Sequence, residues 1–384
     1  MTALFVIYVI TGPLLWVGLC VLSMFARVRM GRLLRSKDQL HEPAPTLAIV
    51  VPAKDEAGNI QECVRRLFAQ DYPGFELVVI NDRSTDSTGE QLDDLAGQNP
   101  RLIVKHVQSL PAGWLGKCHA LNVGTRGLSC DWILFVDSDV NLAPDAARRM
   151  VALAQTRGYD ALSALPTLEF AGFADRLLLP VLAVAWGAAF MVSLTNDDSK
   201  KHIAAANGQL FLIRRSVYED AGNHEAVKDK IVEDVELARH LKANGARVRL
   251  MLGQPLATTR MHDTWPRIMH GWARIFAGTA RGSTGPMWAI LAVVWIGTMS
   301  AFLAVLIGLL GPSSAVLIAA AIHLIMVLEY LFQSYRAAGL AFWQSLVFVL
   351  LLPIAAVGLS IVLIFSLISS RRGWVEWRGE RVRL

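Results

Sequence analysis

The sequence predicts an α/β protein in which a doubly wound parallel sheet lies between transmembrane helices at the N- and C-terminal ends of the chain. Three observations predict it. Short branched apolar runs alternate with helically spaced segments in the middle of the chain. Long runs without charge lie outside that region. Carboxylates recur where the strands stop, which is where open α/β sheets gather ligands. A chain of 384 residues has room for one sizeable soluble domain and a further region.

Residues 3–25 carry no charged side chain, and about 20 apolar residues suffice for a helix to cross a bilayer. Residues 1–26 are therefore expected to be a transmembrane anchor. No basic stretch precedes it and one follows, the pattern of a retained anchor with its N-terminus outside. Residues 27–45 read as a basic, proline-bearing linker. Within the domain expected at 46–258, Leu47 to Val51 reads as a strand closed by Pro52, and Glu62 to Ala69 as a helix with Val64, Leu67 and Phe68 on one face. Phe75 to Ile80 is a second strand running into Asn81 and Asp82, and Leu102 to Val107 a third. Ala120 to Leu128 reads as a helix, and Trp132 to Val136 as a buried strand ending in Asp137 and Asp139.

Leu177 to Leu194 is almost wholly apolar. A crossing there would put Asp137 and Glu233 on opposite sides of the membrane, so a buried or membrane-surface helix is expected. Asn207 to Ile213 reads as a strand and Arg215 to Ala221 as a short helix. Val232 to Ala243 reads as an amphipathic helix closed by Asn244 and Gly245, and Arg247 to Leu252 as the last strand. Residues 259–285 divide Ile268, Trp272, Ile275 and Phe276 from Arg267, His270 and Arg274, as in a helix lying at a membrane interface, with Pro266 in its first turn. The region 286–370 is expected to be membrane-embedded and 371–384 a basic tail. Three complete crossings after the domain would leave that tail outside, against the positive-inside rule. The run 340–370, which contains Pro353, suits a re-entrant hairpin. His323 and Glu329 sit in or at the end of an apolar segment, and helix packing or interface placement is the expectation for them.

Composition excludes several partners. With 54% hydrophobic and 18% charged residues the chain is an integral membrane protein. Its net charge of +5 is concentrated at the membrane flanks, +4 after the first span and +3 after the last, which leaves −2 for the rest. The basicity is thus a membrane-orientation signal that puts both flanks on the cytoplasmic side of an inner membrane, and no nucleic-acid partner is expected. The 4 cysteines have neither metal-ligand nor disulfide spacing and fit a reducing compartment.

Asp55 and Glu56 follow the first strand, Asp82 the second, Asp137 and Asp139 the fourth, and Glu233 and Asp234 start a helix. Each alone is what a turn or a cap uses. Together, at successive strand ends, they point to a shared site for cations and what those cations carry. VVPAKDE (50–56), INDRSTDST (80–88), GWLGKCHALNVG (113–124), FVDSDV (135–140), ANGQLFLIRR (206–215) and VEDVELARHL (232–241) resemble, in order, the motifs of family 2 glycosyltransferases with the GT-A nucleotide-sugar-binding fold. The resemblance covers roughly residues 46–282. The anchor, the segment RMHDTWPRIMHGWARIFAG (260–278) and the WRGE tail (377–380) look closest to members acting on membrane lipids, such as ceramide glucosyltransferase-like, hopanoid-associated and carotenoid-modifying enzymes.

The resemblance implies that Asp55, with Glu56 beside it, and Asp82 contact the base and ribose of a UDP-like donor. It implies that Asp137 and Asp139 hold Mg²⁺ or Mn²⁺ against the diphosphate, as hard cations take carboxylate oxygens. Lys117 and Arg274 would contact the diphosphate or sugar. Asp234 would be the general base toward a membrane lipid acceptor, with Glu233 orienting it, and one base without a covalent nucleophile implies inversion. The chain departs from the family in two places. Gln-x-x-Arg-Trp is replaced by HGWARIF (270–276), so no Trp follows Arg274, and Asn81 stands where a second Asp is common. The alternatives are a processive polysaccharide synthase, disfavoured by the altered Gln-x-x-Arg-Trp, and a catalytically silent membrane scaffold, disfavoured by the complete acid set.

Overall fold

In the computed structural model, residues 2–34, 38–254, 256–260, 264–279, 283–311, 313–377 and 380–383 are described. Arg35 and Lys37 of the basic linker, residues 261–263 of the RMHDTW segment and Arg378 of the tail lie outside them. The chain divides into two units. One comprises Met1–Val28, Phe170–Ser193 and His262–Leu384; the other comprises Arg29–Glu169 and Leu194–Met261.

The second unit holds strands β1 (Leu47–Ala53), β2 (Phe75–Asp82), β3 (Leu102–Val107), β4 (Trp132–Val136), β5 (Val140–Leu142), β6 (Ala161–Leu165), β7 (Thr167–Leu168), β8 (Leu210–Arg214), β9 (Val248–Leu252) and β10 (Ala257–Thr259). Seven form one sheet in the order β3-β2-β1-β4-β8-β6-β9, and β5, β10 and β7 form a small second sheet. The central strands are continuous apolar runs because both of their faces are covered. Ile49, Val51, Leu77, Val79 and Leu134 pack on one side with Leu67, Met150 and Val151. Ala48, Val50, Val78, Ile80, Ile133 and Phe135 pack on the other with Leu121, Leu237 and Leu241.

The expectation of a purely parallel sheet holds except at one strand. β8 runs antiparallel to both β4 and β6, with Leu210 opposite Val136. Its N-terminal end therefore starts where β4 stops, and the Asp137 N–H donates to Gln209 O at 3.3 Å. β6 has no sequence signal because ALSAL lacks both alternation and a branched run. The helices Thr88–Gln98 and Ala146–Arg157 are also additions; the first buries only Thr88 and Leu92.

The helix Gly116–Thr125 lies against β1 and β2 so closely that a Cβ on Gly124 would meet Ile80 Cδ1 at 2.5 Å and Val50 Cγ1 at 2.9 Å. Gly124→Val is expected to cost about 1–3 kcal/mol by overpacking. A melting temperature equal to that of the wild type would refute this.

In the first unit four helices are long and apolar enough to cross a membrane: Ala3–Phe25, Gly285–Leu310, Ser314–Ala337 and Leu352–Arg372. Two contain π-helical turns, Ile10–Leu14 around Pro13 and Val293–Met299. The second turn presents Gly297 O, which accepts from Trp16 Nε1 at 2.6 Å and His323 Nε2 at 2.7 Å, while Tyr8 OH donates to His323 Nδ1 at 3.0 Å. His323 thus ties three apolar helices together with hydrogen bonds, the packing role expected of it.

Phe173–Ala189 is a partly buried helix of 17 residues that packs on Trp265–Thr279, Ser314–Ala337 and Leu352–Arg372, and Tyr335 OH donates to Leu177 O at 2.8 Å. Trp265–Thr279 buries Ile268, Trp272 and Phe276 while Arg267 and His270 are exposed. Ser366 Oγ donates to Ala273 O at 3.1 Å, so part of this apolar face is covered by the helix Leu352–Arg372. The run 340–370 breaks into Phe342–Leu350 and Leu352–Arg372, with Pro353 in the first turn of the latter, where a missing N–H costs nothing. The tail forms an antiparallel pair of strands, Trp374–Trp377 and Glu380–Arg383.

Candidate active site

Residues at the ends of β1, β2, β4 and β8 meet the first turns of two helices, and this is where most of the expected site residues lie. After β1, Asp55 takes a left-handed conformation at φ 53°. Its N–H donates to Ser84 Oγ at 3.0 Å, and its Oδ1 accepts from Thr85 N at 2.7 Å and Thr85 Oγ1 at 3.2 Å. The Glu56 N–H donates to Thr88 Oγ1 at 2.8 Å. Asp55 and Glu56 therefore lock the loop after β1 onto the loop after β2. Asp82, buried at the end of β2, is held by Arg83, with Nε 2.8 Å from Oδ1 and Nη2 3.2 Å from Oδ2. Asn81, the departure from the family pattern, bonds through Nδ2 to His106 Nδ1 at 3.1 Å, and His106 Nε2 lies 2.9 Å from Asp93 Oδ1.

The charged centre is built around Lys117, in the first turn of Gly116–Thr125. Its Nζ lies 2.8 Å from Asp137 Oδ1, 3.0 Å from Asp137 Oδ2 and 3.0 Å from Glu233 Oε1. Burial would lower its pKa, but Asp137, Glu233 and Asp234 outweigh burial and hold the ammonium well above the ordinary lysine range. Glu233 is buried, which favours its neutral form; the Lys117 ion pair and hydrogen bond prevail and hold it below the usual carboxylate range. Asp234 follows in the same first turn of Glu233–Ala243. Its Oδ1 accepts from Val235 N at 2.8 Å and its Oδ2 from Gly208 N at 2.6 Å. Desolvation and then the neighbouring Glu233 push it up to about 7 against the pull of Lys117 and those two N–H groups. Asp139 is also raised to about 7, by desolvation and then by Asp137 and Glu56. Its own surface is nevertheless exposed, while Asp137 is half-buried. A carboxylate can be crowded by protein and still be reachable by solvent when it lies in a concave surface.

Sequence reasoning missed three participants. Gly208 donates to the candidate base, and a Cβ there would lie 3.2 Å from both Asp234 Cβ and Lys117 Nζ, so a side chain would crowd the centre. The small residue between Asn207 and Gln209 was its signal. Asn59 Nδ2 donates to Ser138 O at 2.7 Å and fixes the turn between Asp137 and Asp139. His224, buried on the turn Asn223–Val227, meets Tyr218 OH at 2.7 Å and is lowered to about 4 by burial despite the nearby Glu233; a lone histidine in NHEAV carried no signal. Arg274 belongs to the first unit, half-buried on Trp265–Thr279, whereas the eight other expected residues belong to the second.

Among the described residues no group of three or more His, Cys, Asp or Glu side chains is arranged to hold a metal ion by itself. Asp137 and Asp139 supply two carboxylates. That donor set fits Mg²⁺ or Mn²⁺ entering with a diphosphate, because such ions take one or two carboxylates and fill their remaining positions with phosphate oxygens and water. It does not fit a self-contained structural metal.

Residues 48–222 match the family model described as glycosyl transferase family 2. The 4,4'-diaponeurosporenoate glycosyltransferase of Staphylococcus aureus strain USA300 is 24% identical over 344 residues, 87% of this chain and 88% of the relative. The protein of that name from strain MRSA252 is 25% identical over 271 residues, 68% of this chain and 69% of its own. A mannosyltransferase from Pyrobaculum calidifontis, solved in complex with GDP-Man and Mn²⁺, shares the fold with a TM-score of 0.54 at 20% identity, covering 93% of this chain and 97% of that one.

Proposed function

We propose that this chain, a family 2 glycosyltransferase by its domain at residues 48–222, moves a sugar from a nucleotide-sugar donor to a membrane-dissolved lipid acceptor with inversion at the anomeric carbon. The observation that carries the reading is the convergence of Asp137 and Glu233 on Lys117 at the strand ends, with Asp234 next to Glu233 in the same helix turn and bonded to Gly208 N. It sets a group suited to proton transfer beside groups suited to a diphosphate. A base whose pKa lies near 7, as Asp234 has, is matched to taking a hydroxyl proton near neutral pH.

In this reading Asp82 and the loop locked by Asp55 and Glu56 receive the base and ribose, and a UDP-sugar is the donor proposed. Asp137 and Asp139 would hold Mg²⁺ or Mn²⁺, which supplies neutralisation of the charge growing on the leaving diphosphate. Glu233, pinned by Lys117, orients the helix turn that carries Asp234. As the acceptor oxygen forms its bond to the anomeric carbon, the bond to the diphosphate oxygen breaks, its electron pair leaves with the diphosphate, and the acceptor proton passes to Asp234 Oδ. No covalent intermediate is required, so the product is inverted. Arg274 is proposed as a further diphosphate contact.

The span-length helices of the first unit support a bilayer-bound enzyme. The basic flanks support a catalytic unit on the cytoplasmic side of the inner membrane. The relatives' name supports an apolar acceptor that presents an oxygen nucleophile, and we propose a lipid hydroxyl or carboxyl. The test is the full-length protein in detergent with Mn²⁺ or Mg²⁺, a panel of UDP- and GDP-sugars, and lipid extract. A glycosylated lipid of inverted anomeric configuration is expected; consumption of no donor with any acceptor would refute the proposal.

A further inference from the structure

Lys117 is shared between the two halves of the centre. Its Nζ lies 2.8 Å and 3.0 Å from the two oxygens of Asp137, astride that carboxylate, and 3.0 Å from Glu233 Oε1. Three oxygens within 3.0 Å match the three N–H donors of an ammonium group. An ion bound to Asp137 would compete for the same two oxygens. An ammonium group and a divalent ion a few ångström apart repel each other, so both cannot occupy that place at full strength. An ammonium also offers no coordination position to a phosphate oxygen.

We propose that Lys117 is the resting-state counter-ion of the donor site, holding Asp137 in the place the divalent ion will take and yielding it when the ion and diphosphate arrive together. The proposal rests on the reading of Asp137 and Asp139 as the ion's ligands. Exchange needs somewhere for the ammonium to go. A phosphate oxygen gives it a new partner, and Glu233 remains within reach. The expected consequence is ordered loading. The ion alone competes with a tethered cation and binds weakly, whereas ion and diphosphate together displace it by offering the lysine an anion in return. Lys117 thereby protects the site from stray divalent ions without a lid.

The test uses Mn²⁺ alone as the probe, with the full-length protein in detergent, no nucleotide present, and free Mn²⁺ read from its electron paramagnetic resonance signal. Lys117→Met is expected to bind Mn²⁺ about tenfold more tightly than the wild type, and Asp137→Asn in that background to abolish the gain. Lys117→Gln retains N–H donors for Asp137 and Glu233 and is expected to shift affinity in the same direction, so it carries the test if the methionine variant does not fold. Lys117→Arg, which keeps the charge, is expected to show no gain. Binding by Lys117→Met and Lys117→Gln no tighter than wild type, with Asp137→Asn still weakening the wild type, would overturn the counter-ion proposal and leave the ion ligands in place. Mn²⁺ binding unaffected by Asp137→Asn and Asp139→Ala would instead overturn the assignment of those ligands and the counter-ion with it.

Discussion

Asp234→Asn is expected to lower kcat by about 10²–10⁴-fold with a hydroxyl acceptor, the range for loss of a positioned general base, while the donor KM changes by no more than a few-fold. The separation follows from the hydrogen bonds. An asparagine carbonyl can still accept from one of Gly208 N and Val235 N, the partners at 2.6 Å and 2.8 Å, so the turn keeps one of its two anchors to this side chain. What asparagine cannot do is take a proton. The pH dependence has a definite sign. As the proposed base Asp234 must be deprotonated, and its pKa is raised from 3.8 to about 7, so activity is expected to fall as pH drops through about 7. Asp139, raised to about 7 as well, adds to the same limb, because a protonated carboxylate is a poor ion ligand. Saturating Mn²⁺ removes the Asp139 contribution, and the limb that persists under saturation belongs to Asp234 and disappears in Asp234→Asn. A carboxylic acceptor is already ionised at neutral pH and has no proton to give up, so with it the same variant is expected to lose less than tenfold. Assays with hydroxyl and carboxyl lipids side by side therefore identify the acceptor class. Full activity of Asp234→Asn on a hydroxyl acceptor would exclude Asp234 as the base.

Asp139→Ala is expected to weaken Mn²⁺-dependent donor binding by about 100-fold or more and to cut kcat/KM by at least about 10²-fold. Replacing a residue that merely holds a metal's ligand in place already costs about 10–100-fold, and Asp139 is proposed as a ligand itself. Isothermal titration of the nucleotide sugar with and without Mn²⁺ is the measurement, and unchanged Mn²⁺ dependence would exclude the role. Stability should move the other way. Desolvation first, and then Asp137 and Glu56, disfavour the charge on Asp139, so above pH 7 its removal is expected to leave the melting temperature unchanged or to raise it. A carboxylate whose charge is disfavoured by desolvation and by its neighbours fits a binding role.

Much of the second unit was legible in the chain itself. β1, β2 and β4 are continuous apolar runs because two covered faces permit no polar alternation, and that composition is visible without a structure. The acids at 55, 82, 137 and 139 stand out because each follows such a run, and Glu233 and Asp234 because they open an amphipathic helix. The apolar spans are legible for the same reason, since a bilayer filters composition over about 20 residues. Less was legible where elements are short or made of small residues, as in β6, or where a helix buries only Thr88 and Leu92.

The tertiary structure alone decided the direction of β8, which brings Gly208 onto Asp234 across 26 residues of sequence. It alone decided that Lys117 spans Asp137, 20 residues away, and Glu233. It also turned Asp55 and Glu56 from two acids after a strand into the lock between two loops. The physical reason is one of range. Periodicity and composition act over neighbouring residues and specify what each segment becomes. Which carboxylate faces which ammonium is set by strand pairing and helix docking between segments far apart in the chain, and spacing carries no record of that.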